Sequence, residues 1–162
     1  MRATVTSAGF LTLGHETFRA ALGYGGIRAE KHEGDGGTPT GLLPLRTVLY
    51  RPDRQKAPIC AVPVRALTRE DGWCDDAGNA SYNQLVRLPI DASAEALWRE
   101  DGVYDIIGVL GWNDDPVRAG HGSAIFLHVA RPDYAPTEGC IALAPDDLIL
   151  VLAKGLTGIL VV

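Results

Sequence analysis

Short runs in which apolar and polar residues alternate dominate this chain, and turns rich in glycine and proline separate them. Alternation with a period of two predicts β-strands that bury one face. We expect such strands over residues 2–6, 10–13, 17–22, 42–50, 59–67, 125–129 and 158–162. The run at 104–110 is almost wholly apolar and predicts a central strand. Pro44 falls inside one of the alternating runs, which favours an edge position or a β-bulge there.

Two segments carry helical signals. Residues 93–98 begin with a serine that is placed to act as the N-cap. From Pro145, a proline in the first turn precedes two acidic residues that complement the helix dipole, and Gly155 suits the C-terminal end. Residues 68–83 form a long stretch with aromatic side chains, which predicts a functional loop. The whole pattern predicts a single domain over residues 1–162, mainly β, a sandwich or barrel of short strands with one or two small helices.

The charge balance argues against two classes of partner. The net charge is −5 and no run of like charges occurs, so we expect neither nucleic acid nor a membrane surface as a partner. No apolar run approaches the roughly 18 residues of a membrane span. The first ten residues lack the apolar core of a signal peptide. We therefore expect either that the chain as written stays in the cytoplasm or that a signal has been trimmed from it, and its oligomeric state stays open.

The three cysteines are an odd number, so at least one is unpaired or pairs between chains. Cys60 lies in an apolar run typical of a buried strand, where cysteine acts as a small hydrophobic side chain. Cys74 lies among acidic residues that would raise a thiol pKa. A disulfide between Cys60 and Cys74 is possible, although spacing alone does not establish one. Because no two cysteines stand two residues apart and no HExxH motif occurs, we expect neither a metal site nor another cofactor.

One pair of residues has the features of a catalytic site. His128 lies at the end of the apolar run at 122–129, and a short proline-containing loop leads to Cys140, between a glycine and further apolar residues. The thiolate is the reactive form of cysteine, and a nearby imidazolium lowers the thiol pKa. We therefore predict Cys140 as the nucleophile and His128 as its partner, with His121 as a competing base.

Three short motifs together resemble a known enzyme family, the L,D-transpeptidase catalytic domain or YkuD family. The run AIFLH at 124–128 is similar to the family's apolar strand that ends in histidine. The run TEGCI at 137–141 is similar to the family's cysteine motif, and DGGTPTG at 35–41 resembles its Thr-Pro-x-Gly turn. The likeness extends from about residue 34 to residue 143. The resemblance implies a β-rich fold of the YkuD type.

Three departures from the family pattern indicate a divergent branch. Glu138 stands where the family usually has histidine, and Ala142 stands where it usually has arginine. The loop between the histidine and the cysteine is also shorter. The family arginine helps to hold a substrate carboxylate, so Arg131 or Arg118 is a candidate for that contact here. Glu138 could orient His128 or cap the turn, and we place Glu138 and Arg131 among the substrate-binding residues.

The resemblance also implies a function. It implies cysteine-dependent acyl transfer on peptidoglycan stem peptides, with a thioester on Cys140, a tetrapeptide donor and an amine acceptor. It also implies that Gly139 lets backbone N–H groups near Cys140 approach a developing oxyanion. The family works in the cell envelope. Two alternatives stay open: an L,D-carboxypeptidase or cysteine amidase, and a catalytically silent module that binds the cell wall. Trp73, Tyr82 and Asn113 are expected to line the substrate groove.

Overall fold

The computed structural model describes residues 1–162 and consists mainly of short strands, with one helix. This confirms the mainly β fold class. The elements are β1 (Arg2–Thr6), β2 (Phe10–Leu13), β3 (Glu16–Ala21), β4 (Ile27–Arg28), β5 (Thr38–Pro39), β6 (Gly41–Tyr50), β7 (Val64–Ala66), β8 (Asp71–Cys74), β9 (Leu85–Arg87), β10 (Ala94–Ala96), β11 (Ile106–Leu110), β12 (Phe126–Val129), β13 (Ile141–Leu143), α1 (Pro145–Ala153) and β14 (Gly158–Val161).

Eight of the strands close into a barrel-like ring. Each strand is hydrogen-bonded to the next in the order β11, β12, β13, β3, β2, β1, β14 and β6, and β6 pairs with β11 to complete the circuit. The short strand β7 adds to β6 in parallel. Strands β10, β8 and β9 form a separate antiparallel sheet, and β4 pairs with β5 in parallel. Closure leaves few free sheet edges for non-specific pairing.

The side chains of β11 and β12 enter two different cores. Ile106 and Leu127 belong to a cluster of 22 buried residues, which also holds the buried leucine and valine side chains of α1. Ile107 and Phe126 belong to a second cluster of nine, which includes Trp73 from the small sheet. Because successive side chains of a strand point to opposite faces, burial on both faces explains the nearly continuous apolar run of β11.

The helix predicted from Pro145 is confirmed as α1. It has proline in its first turn and acidic residues there, and it buries Leu148, Val151 and Leu152. Gly155 follows the helix with φ +88°, a conformation that favours glycine. This nine-residue helix, the only one in the structure, is too short to span a membrane.

The helix predicted over residues 93–98 is wrong. This segment contains β10, which pairs with β8, and the N–H of Leu97 donates to the Asp71 carbonyl at 3.0 Å. The hydroxyl of Ser93 donates to the Asp75 carboxylate at 2.6 Å and does not cap a helix. All of β8 is buried, so its backbone needs a pairing partner. The hydrogen bonds between β8 and β10 therefore outweigh the weak local preference of this segment for helix.

Other local predictions need correction. Residues 68–83 are not one long loop, because they contain the buried strand β8. Only Val64–Ala66 of the run at 59–67 is strand. Pro44 is not on an edge strand, since it pairs with Gly158 in β14 while β6 continues alongside β11. The register between β11 and β6 shifts opposite residues 45–47, so the irregularity in β6 lies just after Pro44 and not at the proline itself.

All three cysteines are free thiols, so the possible disulfide between Cys60 and Cys74 is not formed. Cys74 is fully buried in β8 rather than lying in a polar loop. Cys60 is half-buried outside any strand, and its thiol donates to the Val62 carbonyl at 3.2 Å. Neither of these residues lines the cleft in which Cys140 lies.

Candidate active site

A cleft of about 490 Å³ lies beside the second core and has Cys140 and His128 in its lining. One side comes from the segment before β5 and includes Tyr24 and Glu33. The opposite side comes from the region of β10 and the start of β11, and the loop before β13 completes the lining. His128 lies on the barrel strand β12 and Cys140 directly precedes β13, whereas the surrounding loops supply the remaining groups.

Strand register places His128 and Cys140 on one face. Strands β12 and β13 are parallel, with His128 opposite Ala142, and Cys140 precedes Ala142 by two residues. Side chains two apart on a strand share a face, so the thiol and the imidazole face the cleft together. The Cys140 thiol accepts the Phe126 N–H at 3.4 Å and donates to the Ala124 carbonyl at 3.2 Å. No hydrogen bond joins it to His128 in the free protein.

The hydrogen bond of the His128 ring selects its tautomer. Nδ1 lies 2.9 Å from the Val129 carbonyl. A carbonyl only accepts, so Nδ1 carries the proton and Nε2 keeps a free lone pair in the neutral ring. The Tyr104 ring packs edge-on against the imidazole, with centroids 5.4 Å apart. His128 therefore has the orientation and the tautomer of a proton acceptor.

Burial keeps both members of the pair neutral. It lowers the pKa of His128 to about 4 and raises the pKa of the Cys140 thiol to about 12. The Glu95 and Glu138 carboxylates raise the thiol pKa further, while the N–H of Phe126 lowers it. The free protein therefore holds a thiol and a neutral imidazole at neutral pH. The thiolate–imidazolium pair expected from the sequence is not its resting state.

The turn before Cys140 is tight and is held by its own hydrogen bonds. The Thr137 hydroxyl donates to the Cys140 carbonyl at 2.6 Å and accepts the Gly139 N–H at 3.1 Å. Gly139 has φ +136°, and a Cβ added there would lie 2.8 Å from the Gly37 carbonyl oxygen. Only glycine fits this position without displacing a neighbouring backbone.

The Thr-Pro-x-Gly turn packs against the cysteine turn. Asp35 accepts the Gly37 N–H at 2.8 Å and the buried Lys31 ammonium at 2.6 Å. The Gly23 N–H donates to the Thr38 hydroxyl at 2.9 Å. These bonds hold the backbone of Gly37 against Gly139, so the most distant of the three sequence motifs supports the turn that carries Cys140.

Charges of opposite sign line different parts of the cleft. Arg99 makes two hydrogen bonds to Asp101, at 2.8 and 2.7 Å, and Arg131 reaches the same carboxylate at 3.7 Å. One carboxylate thus faces two guanidinium groups, which leaves a net positive charge beside His128. Glu95, whose pKa is raised by burial, accepts the Tyr104 hydroxyl on the same side of the cleft.

The sequence of this chain matches the model of one protein family. A model of the YkuD family, the L,D-transpeptidase catalytic domain, matches residues 9–161. The chain belongs to the YkuD family. No curated protein and no solved structure matches it significantly. The match spans almost the whole chain and includes both His128 and Cys140.

The cleft contains some of the residues that the sequence predicted for the site. Cys140, His128, Glu138 and Arg131 line it, and Gly139 lies in the turn that carries the cysteine. Arg118 does not line the cleft, nor does His121. The ring of His121 lies near that of His32, with centroids 6.4 Å apart.

The predicted groove residues Trp73, Tyr82 and Asn113 do not line the cleft. Trp73 donates its indole N–H to Asn83 at 3.0 Å, and Tyr82 donates its hydroxyl to Glu33 at 2.7 Å. The Asn113 amide donates to two loop carbonyls at 2.9 Å. Buried or bonded inside the protein, these three side chains hold segments together, as aromatic and amide side chains in loops often do.

Several residues that line the cleft were not predicted from the sequence. Glu95 and Arg99 fall in and just after the segment mistaken for a helix, so their position depends on the pairing of β10 with β8. Tyr24 and Glu33 lie in or beside glycine-rich turns with no catalytic signature. A correct strand assignment for residues 94–96 is the one signal that could have placed Glu95 on the cleft side of the small sheet.

Replacing Gly139 by alanine is expected to lower turnover about a hundredfold, because a shift of the nucleophile by about 1 Å has that cost. The strained backbone should also cost about 1–3 kcal/mol of unfolding free energy. Gly155→Ala is the matched control, since Gly155 has φ +88° and open space around its Cβ position. It should lose stability but keep turnover. Equal turnover in both variants would contradict the tight fit at Gly139.

The buried imidazole predicts a pH dependence of stability. The pKa of His128 falls from 6.5 to about 4 on folding, so the unfolded chain binds its proton first as the pH falls. The contribution is fully present above about pH 6.5 and is lost by about pH 4, up to about 3 kcal/mol. Glu95 acts in the opposite direction because its pKa is raised.

Denaturant unfolding of the wild type and His128→Asn between pH 7 and pH 4 isolates this contribution, since all other groups are shared. The wild type should lose more unfolding free energy over this range than the variant. Parallel curves would show that the imidazole is protonated normally in the folded state.

Proposed function

We propose that this YkuD domain catalyses acyl transfer on peptidoglycan stem peptides through a thioester on Cys140. The observation that carries the proposal is the common face of Cys140 and His128 in a cleft of about 490 Å³. The unprotonated Nε2 of His128 is available to the cleft because Nδ1 is bound to the Val129 carbonyl. His128 lies on β12 and Cys140 directly precedes the adjacent strand β13, so a nucleophile and a base face one cleft, as covalent catalysis by cysteine and histidine needs.

In the proposed reaction, Sγ of Cys140 attacks the carbonyl of the third residue of a tetrapeptide donor. The thiol proton passes to Nε2 of His128, and the imidazolium then protonates the amine of the departing terminal D-alanine. A thioester remains. An acceptor amine attacks it, gives its proton to His128 and forms the new amide, and the thiolate recovers the proton from His128.

The turn at Gly139 and Cys140 supports the stabilisation of the oxyanion. The Gly139 N–H already donates to the Thr137 hydroxyl at 3.1 Å, so we assign the main contact to the N–H of Cys140. A backbone donor held in place costs no reorganisation when charge develops on the substrate oxygen.

The two arginines beside His128 support binding of a substrate carboxylate. Arg131 lies in the cleft with half of its side chain exposed and only a 3.7 Å contact to Asp101. Arg99 engages Asp101 with Nε and one terminal nitrogen, which leaves its other terminal nitrogen free. We propose that this pair replaces the arginine missing at Ala142. Glu138, which also lines the cleft, would bind an ammonium group of the substrate.

A silent binding module is the second candidate. It is favoured by the thiol itself, which has a pKa raised to about 12 by burial and no hydrogen bond to His128. A thiol in that state reacts slowly. Catalytic contacts often form only with substrate bound, so the enzyme remains our first proposal.

Mass spectrometry of a disaccharide-tetrapeptide incubated with the protein tests the proposal. A cross-linked dimer would establish a transpeptidase. Loss of D-alanine without a dimer would establish an L,D-carboxypeptidase, in which water accepts the acyl group. Binding of the substrate without any change in its mass would overturn the enzyme proposal and support the module.

The compartment follows from the proposed substrate. Assembled peptidoglycan lies in the cell envelope, whereas its precursors and recycled fragments occur in the cytoplasm. We propose the envelope, as for the family. Fractionation of cells that produce the native protein checks this. Recovery of the protein with soluble cytoplasmic markers would contradict the envelope and indicate precursors or recycled fragments as the substrate.

A further inference from the structure

Tyr24 is an exposed aromatic residue at the edge of the cleft. It is 64% exposed and lines the cleft, whereas Tyr82 and Tyr104 are buried at 2% and 5% exposure. Covering an exposed aromatic ring removes apolar surface from water, which is favourable. A ligand that covered the Tyr24 ring would therefore gain hydrophobic free energy.

The ring of Tyr24 has a defined position. One face lies against Gly36, where an added Cβ would come within 2.2 Å of the ring. The Tyr24 hydroxyl donates to the Gly34 carbonyl at 3.4 Å, and its backbone N–H donates to the Thr137 carbonyl at 2.8 Å. Thr137 belongs to the turn before Cys140, so this bond ties the backbone of Tyr24 to that turn. An immobilised ring with an open surface loses little entropy on binding.

Glu33 places a fixed hydrogen-bond acceptor on the same side of the cleft. Its Oε1 accepts the Tyr82 hydroxyl at 2.7 Å and the Ser123 hydroxyl at 2.5 Å. No protein donor reaches Oε2. An ionised carboxylate oxygen has two acceptor sites, so Oε2 is free for a ligand while the other oxygen anchors the side chain.

We propose that Tyr24 and Glu33 bind a pyranose ring, the sugar that carries the stem peptide. A pyranose has faces of C–H groups, which suit an aromatic surface, and a rim of hydroxyl donors, which suit a free carboxylate oxygen. This inference rests on the proposed function and adds a glycan subsite to it. The enzyme would then prefer stem peptides still attached to sugar.

Calorimetry with full-length Cys140→Ala protein tests the subsite without turnover. The ligands are a disaccharide-tetrapeptide and the same tetrapeptide without sugar. We expect the sugar to tighten binding by about fivefold, in the range of one aromatic contact. Adding Tyr24→Ala should remove this gain and leave the affinity for the sugar-free peptide unchanged. Tyr24→Phe, the matched control, should retain most of it.

Two results would overturn the subsite. Equal affinity for the two ligands before Tyr24 is changed would show that the sugar is not bound. An equal loss for both ligands in Tyr24→Ala would show that the ring contacts the peptide instead. The melting temperature of Tyr24→Ala should fall only slightly, because the variant loses just the ring's contact with Gly36 and the bond from its hydroxyl to the Gly34 carbonyl. Turnover by the wild type tests the acyl-transfer proposal separately, so either idea can fail while the other stands.

Discussion

Cys140→Ala is expected to lower turnover by at least about 10⁴-fold, because removal of a nucleophile eliminates the covalent route. The wild type, incubated with a tetrapeptide donor in the absence of acceptor, should gain the mass of the tripeptide acyl group. The variant should show no adduct by mass spectrometry of the intact protein. The lost Sγ is small and buried, so the cost to folding should stay near 1 kcal/mol.

Cys60→Ala is the matched control for this experiment. Cys60 is a half-buried free thiol outside the cleft, so its variant should retain both turnover and the adduct. An adduct that persists in Cys140→Ala, or that maps to Cys60, would contradict the assignment of Cys140 as the nucleophile.

His128→Asn is expected to reduce kcat by about 10²–10⁴-fold, the range for loss of a general base. The asparagine amide can still donate to the Val129 carbonyl, to which Nδ1 now donates at 2.9 Å, but it cannot accept the thiol proton. The kcat/KM of the wild type should fall on the acid side near pH 4, following the pKa of His128 of about 4. Steady-state kinetics across the pH range measure both effects.

His121→Asn separates the two candidate bases. His121 does not line the cleft, so its variant should keep the wild-type kcat and pH profile. A large loss in His121→Asn combined with normal turnover in His128→Asn would reverse the assignment. An acid limb centred near pH 6.5 would instead show that the imidazole is not kept neutral by burial.

Most strands could be predicted because their side chains alternate over enough residues to be recognised. The first two strands, β11, β14 and the helix at Pro145 all lie close to their predicted bounds. The exceptions are short. Strand β10 has three residues and follows a serine that suits a helix start, so only its pairing with β8 reveals it. Local propensity is a weak guide at that length.

The candidate site was predicted in part for a similar reason. Cys140 and His128 lie near each other in the chain, next to recognisable strands and motifs. Glu95 lies in the small sheet and Arg99 follows its strand β10, and their contribution to the cleft depends on contacts distant in sequence. Tyr82 carries an aromatic ring in a polar segment, a pattern shared by groove residues and by residues that secure loops.

The sequence by itself determined the β-rich class, the family and the two residues proposed to react, because these depend on local alternation and short motifs. The prediction of a single domain stays a prediction. Only the tertiary structure decided the protonation of Cys140 and His128, since burial sets their pKa values. It also decided which charged side chains surround them, because closure of the barrel and docking of the small sheet bring together segments that are far apart in the chain.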